Sequence, residues 1–341
     1  MPCASRAASS NGAAVTEPAS TTQEWQQRPE SGGRFALWLL RTLAFKVGRP
    51  GARFITFFAA LYFMIRRGPE RAASRAYLRR VLGRRASLIE VYRHFLCFST
   101  VTLDRVYLMA DRFSRFDVRI TGLQRLDDAL AEGRGTLLLG AHLGSFDALR
   151  VLSLRNQDVP IRILLDVGQG AGITGLLNAL NPKLAATIID ARRPGPELVL
   201  EMQQALEKHS VVATLADRLR PGNAAILANF LGSPAPFPIS PWLFASALHV
   251  PVVLAFGLHH GGNHYELHFE RFDFELTRER RERSAALAAV VQRFADRVEH
   301  FARLAPYNWF NLYDFWDASR AKISTPVRAA DDQHGGIQSR N

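Results

Sequence analysis

The stretch GTLLLGAHLGSFD, residues 135–147, decides how the chain is read. Thr136 to Leu139 form a short apolar run of the kind a sheet buries on both faces. The run ends at Gly140-Ala141 and delivers His142, with Asp147 five positions later on what reads as the start of a helix. Chemistry in open α/β sheets gathers at the carboxyl ends of strands. A histidine there with a carboxylate in reach makes a general base for a hydroxyl group. The carboxylate fixes the imidazole tautomer and favours the imidazolium once the proton arrives. Ser145 lacks the G-x-S-x-G elbow of a nucleophile and reads as the N-cap of the following helix.

Outward from this stretch, short apolar runs alternate with helical ones. Strands are expected at 117–121, 136–141, 161–166, 187–190, 211–216, 225–230 and 252–258. A further strand at 264–269 follows the turn Gly261-Gly262-Asn263, so the last two form a hairpin. Helices are expected at 123–131, 145–154, 172–180, 197–208, 241–249 and 277–304. The pattern predicts an α/β fold: a mostly parallel mixed sheet flanked by helices, with an antiparallel edge. It divides the chain into a disordered tail (1–33), an N-terminal helical region (34–113), an α/β domain (114–320) and a second disordered tail (321–341).

The 341 residues carry a formal charge of +12, and only four of the basic residues are lysine. Between Arg34 and Arg85 thirteen basic residues stand against one acid, Glu70. The most apolar run, Phe54 to Ile65, lies in the same segment. Basic helices with apolar faces suit an anionic lipid surface. No zinc-finger spacing, RNP-like strand or helix-turn-helix favours nucleic acid instead. The run 54–65 is shorter than the roughly 20 residues that span a bilayer, and Lys46, Arg49, Pro50 and Gly51 separate it from the apolar stretch before it. Residues 35–66 are therefore expected as two helices lying on or dipping into one leaflet, the alternative being core helices of a soluble fold. Two cysteines, Cys3 and Cys97, make no disulfide framework, and residues 1–30 lack the apolar core of a signal peptide.

Other candidates surround the histidine. Asp217 and Arg218 follow the run 211–215, on the same edge as His142 if the sheet is parallel, and Arg218 with Arg220 has the chemistry to hold a phosphate or an oxyanion. The Pro/Gly-rich segment 230–241 reads as a stiff loop able to wall an apolar groove. His259, His260, His264 and His268 are read as part of a plain hairpin, not as metal ligands.

Taken in order, GAHLGSFD (140–147), LADR (215–218), FLGSPAPFP (230–238), PVVLAFGL (251–258), YELHFERF (265–272) and APYNWFNLYDFW (305–316) resemble the lysophospholipid-acyltransferase-like superfamily. The resemblance is to its bacterial lipid A biosynthesis acyltransferase (lauroyl/myristoyl acyltransferase-like) branch and predicted-acyltransferase relatives. It implies transfer of an acyl group from an acyl carrier protein (ACP) or coenzyme A thioester to a hydroxyl of a lipid or glycolipid acceptor. It assigns His142 as general base and Asp147 as its orienting carboxylate. Arg218 would assist oxyanion or substrate binding, and Gly232 with Pro234 would shape the groove; Asp217, Arg220 and Phe237 join them as substrate-binding candidates from the residue pattern alone. No cofactor or metal is implied beyond the acyl-ACP or acyl-CoA co-substrate. The site would work on the cytoplasmic face of the bacterial inner membrane, in a peripheral or monotopic protein. Asp147 stands where relatives often carry Glu, which bears on the acceptor. A non-catalytic carrier-binding or scaffold subunit of a lipid-synthesis complex, or a thioesterase, would keep the same fold.

Overall fold

A computed structural model describes residues 34–151, 159–168, 171–219, 223–277, 279–320 and 322–323. The expected tail 1–33 lies outside them, as does Arg220; of the expected tail 321–341 only Lys322–Ile323 are described, and they form a short strand. The helices are α1 (Arg34–Arg66), α2 (Gly68–Leu82), α3 (Leu88–Met109), α4 (Gln124–Ala131), α5 (Ala171–Leu180), α6 (Pro182–Ala185), α7 (Gly195–Glu207), α8 (Ser240–Leu248) and α9 (Arg280–Leu304). The strands are β1 (Asp117–Thr121), β2 (Thr136–Gly140), β3 (Ile161–Leu165), β4 (Ile188–Asp190), β5 (Val211–Leu215), β6 (Ala224–Phe230), β7 (Ser233–Pro238), β8 (Val252–His259), β9 (His264–Arg271) and β10 (Lys322–Ile323).

Seven strands form the main sheet in the order β1-β9-β8-β2-β5-β3-β4. Every neighbouring pair is parallel except the β8–β9 hairpin. The sheet is covered on both faces, which is why its central strands are apolar at nearly every position. Along β2, Leu137 and Leu139 join one core and Leu138 the other. Along β8, Val252, Leu254, Phe256 and Leu258 alternate in the same way with Val253 and Ala255. The order sets β2 beside β5, with Gly140 opposite Leu215, so His142 and Asp217 leave the sheet side by side.

Two expectations about local structure are corrected. The segment 230–241 is not a loop between a strand and a helix but the turn and second strand of a hairpin. β6 pairs antiparallel with β7, and with β10 the two make a separate three-stranded sheet. β7 is an edge strand, where proline is tolerated. Its prolines, Pro234, Pro236 and Pro238, recur at every second position, so the missing N–H groups fall on one side and Ser233, Ala235 and Phe237 remain as donors. The turn is Leu231-Gly232, both at positive φ (51° and 81°), which suits a two-residue hairpin. The second correction concerns 145–154: Phe146–Val151 is a 3₁₀ helix, and 152–158 lie outside the described residues. The Ser145 hydroxyl is buried without a hydrogen-bond partner among the described residues, so it does not cap that turn.

α1 is two helices joined at Gly48 (φ 75°, ψ 171°), with Pro50 opening the second. A buried ion pair holds the joint. Arg49 donates from Nε and Nη2 to the two carboxylate oxygens of Asp104 on α3, both at 2.8 Å. Tyr265 on β9 donates to the same carboxylate at 2.9 Å, and Arg49 also reaches the Gly262 carbonyl at 2.7 Å. Beyond this anchor α1 exposes Phe54, Phe57, Phe58, Leu61, Tyr62 and Ile65, next to exposed Leu88 and Ile89 at the start of α3. Phe54 is 68% and Ile89 72% exposed, values far from those of core side chains. Among the described residues no helix is long and apolar enough to cross a membrane.

Candidate active site

β2 delivers His142 into a turn that the rest of the fold holds tightly. Ser145 N–H donates to the Gly257 carbonyl on β8 at 2.7 Å. Gly144 sits at φ 62°, and a side chain there would meet the same carbonyl oxygen at 1.8 Å; Gly257 in turn faces the Ser145 carbonyl. Only glycine fits both positions, because the turn lies directly on the strand.

A second segment crosses the turn. After α9 the chain returns as an extended strap over 305–316. Gly144 N–H donates to Asn308 O and Phe310 N–H to His142 O, each at 2.7 Å, and Leu143 bridges Trp309 as in an antiparallel pair. The Asn308 side chain fastens the strap to β8 by accepting from His259 N–H at 2.7 Å and donating to His259 O at 3.1 Å. From the other side His94 on α3 reaches Trp309 O at 2.9 Å through Nε2 and Ser74 on α2 through Nδ1 at 2.8 Å. A carbonyl oxygen only accepts, so the His94 proton is on Nε2 and Ser74 donates to Nδ1. Burial takes the His94 pKa down to about 4, against the pull of the Trp309 carbonyl, so the ring is a neutral structural link.

The partner of His142 is Asp217. His142 Nδ1 lies 2.7 Å from Asp217 Oδ1, and the His142 backbone N–H donates to Oδ2 at 3.0 Å. A carboxylate accepts, so Nδ1 carries the proton and Nε2 keeps the lone pair. Asp217 is fully buried while the His142 side chain keeps partial exposure. Burial works against ionising Asp217, but the His142 ring, Arg218 and the Asn311 amide together hold its carboxyl below the usual range. Burial and then the Arg218 charge lower the His142 pKa, against the pull of Asp217. The ring is therefore neutral, and basic at Nε2, around neutral pH.

The expected pairing of His142 with Asp147 is corrected by this geometry. Asp147 Oδ2 instead accepts from Arg105 Nε on α3 at 2.6 Å. The 3₁₀ turn, in place of a regular helix, carries Asp147 toward α3, while the parallel β2–β5 register brings Asp217 to the ring. Arg218 is held by the strap, donating to Asn311 Oδ1 at 2.5 Å and to Phe310 O at 2.9 Å. Asn311 completes the group by donating from Nδ2 to Asp217 Oδ2 at 2.8 Å. No residue pattern around 311 singled out this amide beforehand.

Beside the turn an apolar cavity of about 170 Å³ runs along one face of the sheet. Arg105, Phe146, Asp147 and Leu215 stand at the end nearest His142, and Leu138, Ala213, Val211, Ile161, Met109 and Leu177 line the rest. Gly232, Pro234 and Phe237 do not line it. Gly232 is in the β6–β7 turn, Pro234 in β7, and Phe237 is fully buried against Phe230, Phe294 and Phe315. Among the described residues no group of His, Cys, Asp and Glu could hold a metal ion. His264 pairs with Asp117, and His260 and His268 with Glu266.

The α/β sheet thus sets a carboxylate-held imidazole at its carboxyl edge, next to an apolar cavity. The chain belongs to the bacterial lipid A biosynthesis acyltransferase family, whose model matches residues 28–317. It is an acyltransferase acting on lipid. No curated relative matches the sequence.

Proposed function

We propose that this acyltransferase moves a fatty acyl group from a carrier thioester to a hydroxyl of a lipid or glycolipid at the membrane surface, with His142 as the general base. The observation that carries the reading is the 2.7 Å contact between His142 Nδ1 and the buried Asp217 carboxylate, which leaves Nε2 unprotonated. Nε2 takes the hydroxyl proton as the oxygen attacks the thioester carbonyl. The tetrahedral intermediate then collapses with loss of the thiolate, which takes up a proton. Asp217 steadies the imidazolium formed between these steps. A thioester is already activated, so the enzyme needs no covalent intermediate of its own. Arg218, held beside the ring, has the charge to stabilise the developing oxyanion. The test is purified protein with an acyl-ACP or acyl-CoA and a lipid acceptor. Acylated lipid with stoichiometric free thiol supports transfer; free fatty acid as the main product in the presence of acceptor would make it a thioesterase.

The cavity beside the turn has the lining and position to take the acyl chain. Ala213 sits mid-way along it with Val211 and Leu215 on the same face of β5. Ala213→Leu is expected to shift donor preference toward shorter chains, since each displaced methylene forfeits about 0.8 kcal/mol of burial. Competition between donors of different length reads this directly, and an unchanged preference would remove the cavity from the account.

The second helix of α1 is the surface proposed to meet the bilayer, with exposed Phe54, Phe58 and Ile65 entering the acyl boundary and flanking arginines such as Arg66 among the headgroups. Burying one such side chain is worth about 1.5–3 kcal/mol. The Phe54→Ser/Phe58→Ser/Ile65→Ser variant is expected to lose at least about tenfold in binding to anionic vesicles, with thermal stability unchanged. Wild-type co-sedimentation by the variant would contradict the assignment.

A further inference from the structure

The strap over 305–316 presents one side chain to the reacting group of residues that the functional reading leaves without a role. Asn311 is 2% exposed and touches both Asp217 and Arg218. Its two ends are chemically distinct. Asp217 accepts only, so the NH₂ must face it; Arg218 donates only, so the carbonyl must face that side. An amide meets both demands at once. A carboxylate would oppose Asp217, and an aliphatic side chain would leave the buried Asp217 carboxylate short of a donor and the Arg218 Nε–H without its acceptor.

We propose that Asn311 is a positioning residue for acyl transfer: it holds the Asp217 carboxylate on His142 Nδ1 and keeps the Arg218 guanidinium from pairing with that carboxylate. The proposal rests on the reading of His142 as the base. Asp217 Oδ2 accepts from the His142 backbone N–H and from Asn311, and those two bonds fix the carboxylate plane so that Oδ1 points at the ring. Arg218 follows Asp217 directly in sequence and carries the opposite charge. Without an intervening amide the two would form a bidentate ion pair, the preferred geometry of guanidinium and carboxylate. That pair would take both Oδ atoms away from the imidazole. Asn311 accepts the Arg218 Nε–H itself and so removes one arm of the fork. The strap can do this because its backbone is pinned at Asn308, Trp309 and Phe310, immediately before the amide.

The test is the steady-state rate of acyl transfer against pH for Asn311→Asp and Asn311→Ser beside wild type and His142→Ala. The charged groups facing His142 are Asp217 and Arg218 after β5 and Arg105 on α3. Asn311→Asp adds a negative charge to this set without changing size, so the ring holds its proton to higher pH and the acid limb of kcat moves upward. Asn311→Ser is too short to reach both partners, and kcat is expected to fall at least about tenfold with KM within about twofold, the pattern of a lost geometric constraint. A wild-type kcat and acid limb in both variants would overturn the proposal. So would a fall in kcat accompanied by an unmoved limb in Asn311→Asp, which would mark Asn311 as merely structural. If His142→Ala itself keeps the wild-type rate, the reading of the base fails instead, and the two failures are told apart.

Discussion

His142→Ala is expected to lower the rate of acyl transfer by about 10²–10⁴-fold, the usual contribution of a positioned general base. The fold should survive, because the ring keeps partial exposure and the turn is held by backbone bonds from Gly144, Ser145 and Phe310. The pH dependence of the wild-type enzyme follows from the same environment. Burial, with the Arg218 charge, pushes the His142 pKa below its ordinary value, outweighing Asp217. A general base works when neutral, so with His142 in the proposed role activity should be sustained below the ordinary histidine midpoint of about 6.5 and fall only at more acid pH. A profile whose acid limb lies above that midpoint would mean that the ring is charged in the resting enzyme.

Asp104→Ala is expected to be the most damaging single change to stability, at about 3–5 kcal/mol, because it strands a buried guanidinium. Asp104 is completely buried, and Arg49, which it neutralises, is almost so. The loss also unpairs the Tyr265 hydroxyl, so α1, α3 and β9 come apart at one point. Urea unfolding measures the effect. The Arg49→Met/Asp104→Leu double variant should recover a good part of the loss, since an apolar pair avoids the desolvation of both charges. A loss below about 1 kcal/mol for Asp104→Ala would show that water reaches Arg49 freely. Catalysis by the surviving folded fraction should be near normal, because this cluster does not touch His142, Asp217 or Asn311.

Much of the main sheet was legible in the chain. The runs at β2, β5 and β8 are short, almost wholly apolar and followed by Gly, His or Asp, the pattern that two-sided burial favours. The β8–β9 hairpin announced itself through Gly261-Gly262. What misled was proline. Four prolines in 234–241 read as a loop, yet Pro241 opens α8 and an edge strand accepts the other three when they fall on its unpaired side, which only the partner strand reveals. The geometry of the proposed site was legible in one half. His142 follows from its strand end, and Asp217 was placed on the same edge. Sequence proximity nevertheless favoured Asp147 as the partner, although a five-residue separation says nothing of direction once the intervening turn is 3₁₀. Spatial neighbours across a parallel sheet are distant in sequence: Asp217 lies 75 positions from His142, and Asn311 lies 94 from Asp217. The register Gly140 opposite Leu215 is the fact that joins them, and it depends on a strand order that hydrophobic pattern does not encode.

In the proposed mechanism Asp217 is the group that holds the base, and Asp217→Asn tests this most directly. An amide at this position offers Nδ1 a donor where it needs an acceptor, so the proton moves to Nε2 and the lone pair turns away from the substrate. Single-turnover transfer from a radiolabelled acyl thioester to a lipid acceptor should fall at least about a hundredfold in this variant. Asp147→Asn, which touches Arg105 and not the ring, should stay within about tenfold of wild type. Wild-type transfer by folded Asp217→Asn, with the rate collapsing in Asp147→Asn instead, would contradict the account.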